Sequence, residues 1–319
     1  MAMADPQGRQ DTPNRRRGQD AQDGQDAQSG QGGQDARGGQ GRPERGRRQL
    51  HRGTVLRTER LSPHMIRVVV GGPGLAEFTA GQYTDHYIKL LFPRPGVEYP
   101  RPMDMEAVRR DLPREQWPVT RTYTVRSFDA SVPELAVDFV HHGDEGLAGP
   151  WAARAKPGDE LLFLGPGGGY APDAGADWHL LVGDESALPA VAASLERLPS
   201  GAPARVFLEV AGPEEELKLE TPGEAEVVWV HRGERPVGAA LVEAVRALEF
   251  PSGDVQAFVH GEADFVRELR RLLRMERGIA PARLSVSGYW RRGVDEDGWQ
   301  ASKAEWNRGV SEEEAGSSS

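Results

Sequence analysis

The pattern of apolar residues changes near residue 175, and this change constrains the fold more than any other feature. From residue 50 to 164 the chain carries short apolar runs of strand length, separated by turns rich in Gly, Pro and Asp. From Asp177 onward, strand-length apolar runs alternate with segments of helical period. The first pattern is typical of an antiparallel barrel, and the second of a parallel sheet wrapped by helices. The sequence therefore predicts a Greek-key β-barrel followed by an α/β domain.

The same change of pattern sets the predicted domain boundaries. The first stretch repeats Gln, Gly, Asp and Arg and has almost no large apolar residues. Such a segment cannot bury enough surface to offset its chain entropy. We predict a disordered tail in residues 1–48, the barrel domain in 49–174, the α/β domain with a C-terminal helix in 175–308, and a short disordered tail in 309–319.

Composition excludes several classes of protein. The 319-residue chain has no Cys, which excludes disulfides, Cys-ligated zinc and an iron–sulfur cluster held by this chain alone. No apolar run approaches the roughly 20 residues of a membrane span, and the N-terminus lacks the apolar core of a signal peptide. A net charge of −10 argues against general nucleic-acid binding. We expect a cytoplasmic monomer that neither inserts into membranes nor binds nucleic acid.

The stretch "RTYTVRSF" at residues 121–128 is the first candidate site. In a strand, Arg121 and Tyr123 share one face while Thr122 and Thr124 share the other. An ordinary half-buried strand would use the same residue types. The alternative is a flavin-binding site. The Tyr123 ring would lie along the isoalloxazine, Arg121 would bind the pyrophosphate, and the Thr124 hydroxyl would lie beside the reactive ring. These residues alone leave both interpretations open.

A second candidate site lies in "DFVHHGDEGLAGPWAARA", which combines a strand, a Gly-rich turn and a short helix. The free backbone N–H groups of a helix N-terminus bind anions, so this helix could receive the pyrophosphate of FAD. A plain strand-turn-helix corner is the alternative. His141 and His142 are adjacent and would face opposite sides of a strand, so we predict no metal site here.

Four motifs, in this order, resemble the siderophore-interacting proteins: "RTYTVRSF", "DFVHHGDEGLAGPWAA", "GDESALPAV" and "SGYWRRG". That family comprises FAD-dependent ferric-siderophore reductases with a ferredoxin-reductase-like fold. The resemblance covers about residues 50–300 and implies that the family's flavin motif falls on Arg121, Tyr123 and Thr124. It also implies that residues 140–151 hold the rest of FAD. We further expect the aromatic pair at the end of the last strand to cover the flavin. The predicted cofactor-binding residues are Arg121, Tyr123, Thr124, Val140, His142, Gly143, Ala148, Gly149, Trp151, Tyr289 and Trp290.

The segment "GDES" occupies the strand-to-helix position of a dinucleotide turn, which makes Gly183, Asp184, Glu185 and Ser186 candidates for nucleotide binding. It lacks G-x-G-x-x-G spacing, and its two acidic residues would repel a phosphate at the helix start. Asp184 or Ser186 capping a helix is the alternative. NADPH or NADH as electron donor is therefore implied by the resemblance alone, and a reduced ferredoxin is the alternative donor.

The resemblance makes a ferric siderophore the expected substrate. A flavin suits this reaction because it takes two electrons and releases them singly, whereas ferric iron accepts one. Many iron chelates are anionic, so a local basic cluster on an acidic chain is the expected substrate site. The candidates are Lys89, Arg126, Arg291 and Arg292, each of which has the alternative of a solvated surface cation. Two other functions stay open: a general flavin or ferredoxin reductase without siderophore specificity, and a non-catalytic scaffold that carries an iron chelate.

Overall fold

The structure is a computed structural model that describes residues 49–316. The tail predicted for residues 1–48 lies outside the described residues, as do residues 317–319. The chain passes from the last strand of a first sheet, at Gly167, to the first strand of a second sheet, at Trp178. The predicted domain boundary at residues 174 and 175 falls within this connection.

The first sheet has seven antiparallel strands in the order β4-β3-β7-β1-β2-β6-β5. Strand alternation contributes to its core: in β3, Ile88 and Leu90 are fully buried, while the alternate residues Tyr87 and Lys89 are only half-buried. The strands are β1 (Leu50–Ser62), β2 (Met65–Gly71), β3 (Tyr87–Phe92), β4 (Val119–Thr124), β5 (Ser127–Asp129), β6 (Glu134–Val140) and β7 (Glu160–Gly167), and the helices are α1 (Met105–Asp111) and α2 (Ala148–Arg154).

The stretch "RTYTVRSF" forms two strands rather than the single strand predicted. At this point the chain changes partners, because the Val125 N–H donates to the His86 carbonyl and the Arg126 N–H donates to the Ala136 carbonyl. Strand β4 therefore pairs with β3, and β5 pairs with β6. Among the described residues no ladder joins β4 to β5, so the sheet is barrel-like but open, where we expected a closed barrel. The predicted fold class is otherwise confirmed.

The second sheet has five parallel strands in the order β10-β9-β8-β11-β12. Its central strand, "WHLLVG", is buried at every position, as expected for a parallel strand covered on both faces. The strands are β8 (Trp178–Gly183), β9 (Pro203–Val210), β10 (Glu224–His231), β11 (Val255–Glu262) and β12 (Leu284–Trp290), and the helices are α3 (Leu188–Leu195), α4 (Ala239–Ala247), α5 (Ala263–Arg271) and α6 (Glu296–Gly316).

The C-terminal helix α6 folds back on β12, as the helical period of "DEDGWQASKAEW" predicts. Trp299 is fully buried, and a Cβ added to Gly288 would come within 2.9 Å of its ring, so the glycine allows the close approach. The helix continues to Gly316, and Val310 is buried. The disordered tail predicted for residues 309–319 therefore overlaps the last turns of a helix that packs on the fold.

The carboxyl ends of the parallel strands face the first domain. Glu215, which follows β9, accepts hydrogen bonds from the Ser62 hydroxyl at 2.5 Å and from the His64 backbone N–H at 3.2 Å. Thr84 of the first domain contacts the Ser194 hydroxyl in α3 at 2.8 Å. Ligands of such sheets bind at the carboxyl ends of the strands, so the fold places a candidate site between the two domains.

Candidate cofactor and substrate site

Strand β4 presents different side chains on its two faces and has one free edge. In its pairing with β3, Tyr123 lies opposite the fully buried Ile88, whereas Thr124 lies opposite Tyr87. Residues directly opposite each other share a face, so Tyr123 and Arg121 point to the core side of the first sheet, and Thr124 points to the other side, where it is also buried. The alternation predicted from the sequence is therefore present, and a cofactor on the free edge of β4 could reach both faces.

Phe139 of β6 contacts both the motif strand and α2 through aromatic rings. The Phe139 ring lies 4.5 Å from Tyr123 and 5.6 Å from Trp151 of α2, measured between ring centroids. A Cβ on Gly149 would lie 2.7 Å from the Val140 carbonyl oxygen, so only a glycine lets α2 approach β6 this closely. Phe139 thus connects Tyr123 with Trp151 of the predicted cofactor segment.

The turn between β6 and α2 carries the other predicted residues. Gly143 has φ +61°, a left-handed conformation that favours glycine. His142 is exposed, and its ring centroid lies 5.5 Å from that of His64. No side chain caps the start of α2, where Ala148 is buried. The predictions for His142, Gly143 and Ala148 as cofactor contacts stay predictions.

The start of α6 supplies a carboxylate to the motif strand. Glu296 Oε1 accepts a hydrogen bond from the Thr122 backbone N–H at 2.8 Å, and its Oε2 lies 3.5 Å from Arg121 Nε. Asp297 Oδ1 lies 3.3 Å from Arg121 Nη1. Burial raises the pKa of Glu296 to about 7. The Arg121 guanidinium and the Thr122 backbone N–H therefore both contact the Glu296 carboxylate at the edge of β4. These two donors would fit another anionic group, such as a phosphate.

A half-buried lysine, Lys303, lies on the same helix and was not predicted from the sequence. The Lys303 Nζ donates to the Ser287 hydroxyl at 3.3 Å. Burial lowers the pKa of Lys303 to about 8, and the nearby charge of Lys89 acts in the same direction. Lys303 follows the buried Trp299 by one helical turn, so it lies on the buried face of α6. The sequence does contain a signal for this residue, because Lys303 falls among the apolar positions of the helical pattern in "DEDGWQASKAEW".

The other predicted cations lie in different surroundings. Arg126 donates to Glu196 at 3.0 Å and lies 4.0 Å from Asp138, so its charge is already compensated. Arg291 is half-buried directly after β12, and Arg292 is exposed. Lys89 lies near enough to the cation Lys303 for the charge of Lys89 to lower the pKa of Lys303.

The two aromatic residues at the end of β12 point to different partners. The Tyr289 hydroxyl lies 3.0 Å from His260 Nδ1. The Trp290 Nε1–H instead donates to Asp184 Oδ2 at 2.8 Å. Tyr289 therefore contacts the end of β11, whereas the polar atom of Trp290 is directed to the acidic turn after β8.

The acidic turn after β8 is held within the fold. Asp184 is fully buried and accepts from the backbone N–H groups of Ser186 at 3.0 Å and Glu262 at 2.9 Å. Burial raises the pKa of Asp184 to about 6. The interaction with Ser186, just before α3, fits the capping alternative.

Glu185 of the same turn forms an ion pair at 2.8 Å with Arg232, which also lies 3.3 Å from the buried Glu209. Gly183 packs closely, because a Cβ there would lie 2.6 Å from the Ala187 side chain. Two carboxylates thus surround the one arginine of this cluster. Nucleotide binding by Gly183, Asp184, Glu185 and Ser186 stays a prediction.

Within residues 49–316, no group of three or more His, Asp or Glu side chains is placed to hold a metal ion. In that same part of the chain, no helix combines the length and the apolar character that a membrane crossing requires.

The architecture and the site define a class of protein. A barrel-like antiparallel sheet followed by a five-stranded parallel sheet, with the candidate site where they meet, is ferredoxin-reductase-like. Two family models match the chain: the siderophore-interacting FAD-binding domain over residues 54–170, and the siderophore-interacting protein over residues 176–293. The chain belongs to the siderophore-interacting protein family, which confirms the resemblance seen in its motifs.

Relatives cover most of both domains. Ferric vibriobactin reductase ViuB of Vibrio cholerae is 36% identical over 76% of this chain and 90% of its own length. The NADPH-dependent ferric-chelate reductase of Escherichia coli is 33% identical over 74% of this chain and 91% of its own. A siderophore utilization protein from T. fusca has a crystal structure that is similar with a TM-score of 0.66, at 39% identity over 77% of this chain and 94% of its own.

Proposed function

We propose that this protein is an FAD-dependent reductase of ferric siderophores. The observation that carries the proposal is the meeting of two charge features at α6: an anion-binding donor set on β4, and the cation pair Lys89 and Lys303. The match to a siderophore-interacting FAD-binding domain and the names of two reductase relatives support it.

The cofactor residues in this proposal come from both domains. Arg121 would bind the pyrophosphate, Tyr123 would contact the ring system, and the Thr124 hydroxyl would lie beside the reactive ring. Tyr289 would approach from the second domain, because it lies near the carboxyl end of β12 at the sheet edge that faces the first domain. The segment from Val140 to Trp151 would hold the remainder of FAD. When bound, FAD accepts electrons in pairs and passes them on singly.

The substrate residues in this proposal act through charge. Lys303 has a pKa of about 8, so most of it is protonated at pH 7, where Lys89 is also a cation. Two adjacent cations on a chain with a net charge of −10 attract an anionic ferric chelate to this place. The iron stays within the chelate as substrate, and the protein needs no ligand of its own for it. Arg291 and Arg292 would add positive charge at the rim.

The electron donor in this proposal is NADPH or NADH, and the name of the Escherichia coli relative supports a nicotinamide. A reduced ferredoxin is the second candidate. Glu185 and Glu209 around Arg232, together with the neighbouring Asp184, favour it, because carboxylates at this sheet edge repel a pyrophosphate. We further propose that the protein works as a monomer in the cytoplasm.

The test is anaerobic reduction of a panel of ferric siderophores, with an iron(II) trap and each donor in turn. We expect chelate reduction that depends on FAD and weakens in Lys303→Gln but not in the exposed-lysine control Lys156→Gln. Equal rates with all acceptors, charged or neutral, would indicate a general reductase. A colourless protein that cannot be reconstituted with FAD would leave only the scaffold alternative.

A further inference from the structure

Tyr87 of β3 lies beside two residues that have roles in the proposed function. In the pairing of β3 with β4, Tyr87 is directly opposite Thr124. Lys89 follows two residues later on the same strand, and the intervening Ile88 is fully buried in the core of the first sheet. Because side chains alternate between the two faces of a strand and opposite residues share a face, Tyr87, Lys89 and Thr124 all lie on the other face of the sheet.

Strand geometry sets the spacing of these three side chains. Residues two apart in a strand are separated by about 7 Å, and residues directly opposite on neighbouring strands by about 5 Å. Tyr87 is therefore the neighbour of Lys89 along β3 and the neighbour of Thr124 across to β4. An electron acceptor that binds at Lys89 and approaches a flavin beside Thr124 comes within reach of the Tyr87 ring.

A glycine on the neighbouring strand β7 makes room for the Tyr87 ring. Tyr87 is directly opposite Gly167, and a Cβ added to Gly167 would lie 2.5 Å from Tyr87 Cζ and 2.7 Å from its hydroxyl oxygen. The phenol therefore lies across the Gly167 backbone, in space that a side chain at this position would fill. Since β7 and β4 flank β3 on opposite sides, the ring leans away from Thr124 and borders the proposed flavin position without filling it.

The surroundings of the Tyr87 ring suit a substrate that is both aromatic and anionic. Tyr87 and Lys89 are each half-buried, so part of each side chain is accessible. Aromatic rings attract one another in offset or edge-to-face geometry, beyond the effect of the area that they bury. An aromatic group whose oxygen atoms hold the iron would contact the Tyr87 ring while its negative charge lies near the Lys89 ammonium.

We propose that Tyr87 is a specificity-determining residue, which contacts an aromatic ring of the ferric chelate and so favours aryl chelates over aliphatic ones. This inference rests on the proposed function, because it requires a chelate at Lys89 and a flavin beside Thr124. Tyr87 acts through its ring, so the preference does not need its hydroxyl. Gly167 supports this role, because it leaves the space in which the ring lies.

The test compares the ferric complexes of benzohydroxamate and acetohydroxamate, which are both neutral and bind iron through the same atoms but carry a phenyl or a methyl group. The readout is the ratio of kcat/KM for the two complexes, because this ratio cancels differences in FAD loading between variants. In Tyr87→Leu we expect the ratio to fall about fivefold from its wild-type value, the size of one contact between aromatic rings. Tyr87→Phe keeps the ring and should keep the wild-type ratio.

Two further variants separate the position of the ring from general effects. Gly167→Ala adds a methyl group where the Tyr87 ring lies, so the ring is displaced and the ratio should fall although Tyr87 itself is unchanged. Gly167 does not have the positive φ that favours glycine, so its backbone accepts alanine. Tyr99→Leu is the matched control and should leave the ratio unchanged, because Tyr99 is a half-buried tyrosine whose hydroxyl donates to the Gln116 carbonyl in the segment between β3 and β4.

The outcomes separate this inference from the proposed function. FAD-loaded wild-type protein that reduces no ferric chelate with any donor refutes the proposed function, and the role of Tyr87 falls with it. An unchanged ratio in Tyr87→Leu and Gly167→Ala overturns the role of Tyr87 alone, as does reduction of ferric siderophores without reduction of the benzohydroxamate complex. A fall in Tyr87→Phe as large as that in Tyr87→Leu also overturns it, because the hydroxyl would then be responsible. If Tyr87→Leu does not fold, Gly167→Ala and Tyr87→Phe decide the question.

Discussion

Replacing Glu296 by Gln should strengthen FAD binding, because this carboxylate occupies the site at Thr122 and Arg121 that we propose for the cofactor phosphate. Glu296 contacts the Thr122 N–H and lies 3.5 Å from Arg121 Nε, and the Arg121 side chain is only 17% exposed. At this separation the direct attraction is about 5 kcal/mol with an effective dielectric constant near 20. Desolvation and side-chain entropy reduce the net value of such a pair to about 1 kcal/mol.

Removing this competition should lower the dissociation constant of FAD about fivefold at pH 8. The difference should depend on pH with a defined sign. The pKa of Glu296 is about 7, so at pH 6 the wild-type carboxyl is mostly protonated and resembles the Gln variant. The two proteins should therefore bind FAD alike at pH 6 and diverge as the pH rises through 7.

The assay is a titration of flavin fluorescence into FAD-free protein, with melting temperature as the check on folding. Arg121→Ala should weaken binding by about 1.5 to 3 kcal/mol through loss of a charge-assisted contact. Adding Glu296→Gln to Arg121→Ala should then have no effect, since the residue competed for has gone. Glu305→Gln, at an exposed position of the same helix, is the matched control.

Two results would refute this reasoning. Weaker FAD binding in Glu296→Gln at pH 8 would mean that the carboxylate orients Arg121 for the cofactor rather than competing with it. Full retention of FAD in Arg121→Ala would mean that "RTYT" is an ordinary half-buried strand and does not bind the cofactor.

Three other outcomes are expected. The pKa of Lys303 is about 8, so its positive charge is lost as the pH rises through that value. In steady-state rates, KM for an anionic ferric chelate should therefore rise between pH 7 and 9. Lys303→Gln should abolish this pH dependence. Arg291→Glu should weaken use of an anionic chelate most at low salt, while a small uncharged acceptor is reduced normally; equal loss with both acceptors would contradict a steering role. Trp290→Phe removes a donor from the buried Asp184 and should cost about 1 to 3 kcal/mol in urea unfolding, whereas a cost near zero would show that water replaces the indole.

Patterns of short range predicted most of the fold. The short apolar run in "DHYIKLLF" predicts a strand where β3 lies, and the apolar run "WHLLVG" predicts a strand of the parallel sheet where β8 lies, because runs of this length bounded by turns are typical of strands. The alternating faces of Arg121 and Tyr123 against Thr124 also follow from the period of a strand. The break at Val125 did not, since it depends on a change of backbone partners from His86 to Ala136.

The sequence by itself determined the two-domain order, the family and the strand that carries the flavin motif, because these depend on residue types and their local spacing. Only the tertiary structure decided what surrounds that strand. Glu296 contacts β4 across more than 170 residues of chain, and the charge of Lys89 lowers the pKa of the equally distant Lys303. Charge compensation, pKa shifts and hydrogen-bond direction depend on such distant neighbours, and no local pattern records which of them will meet.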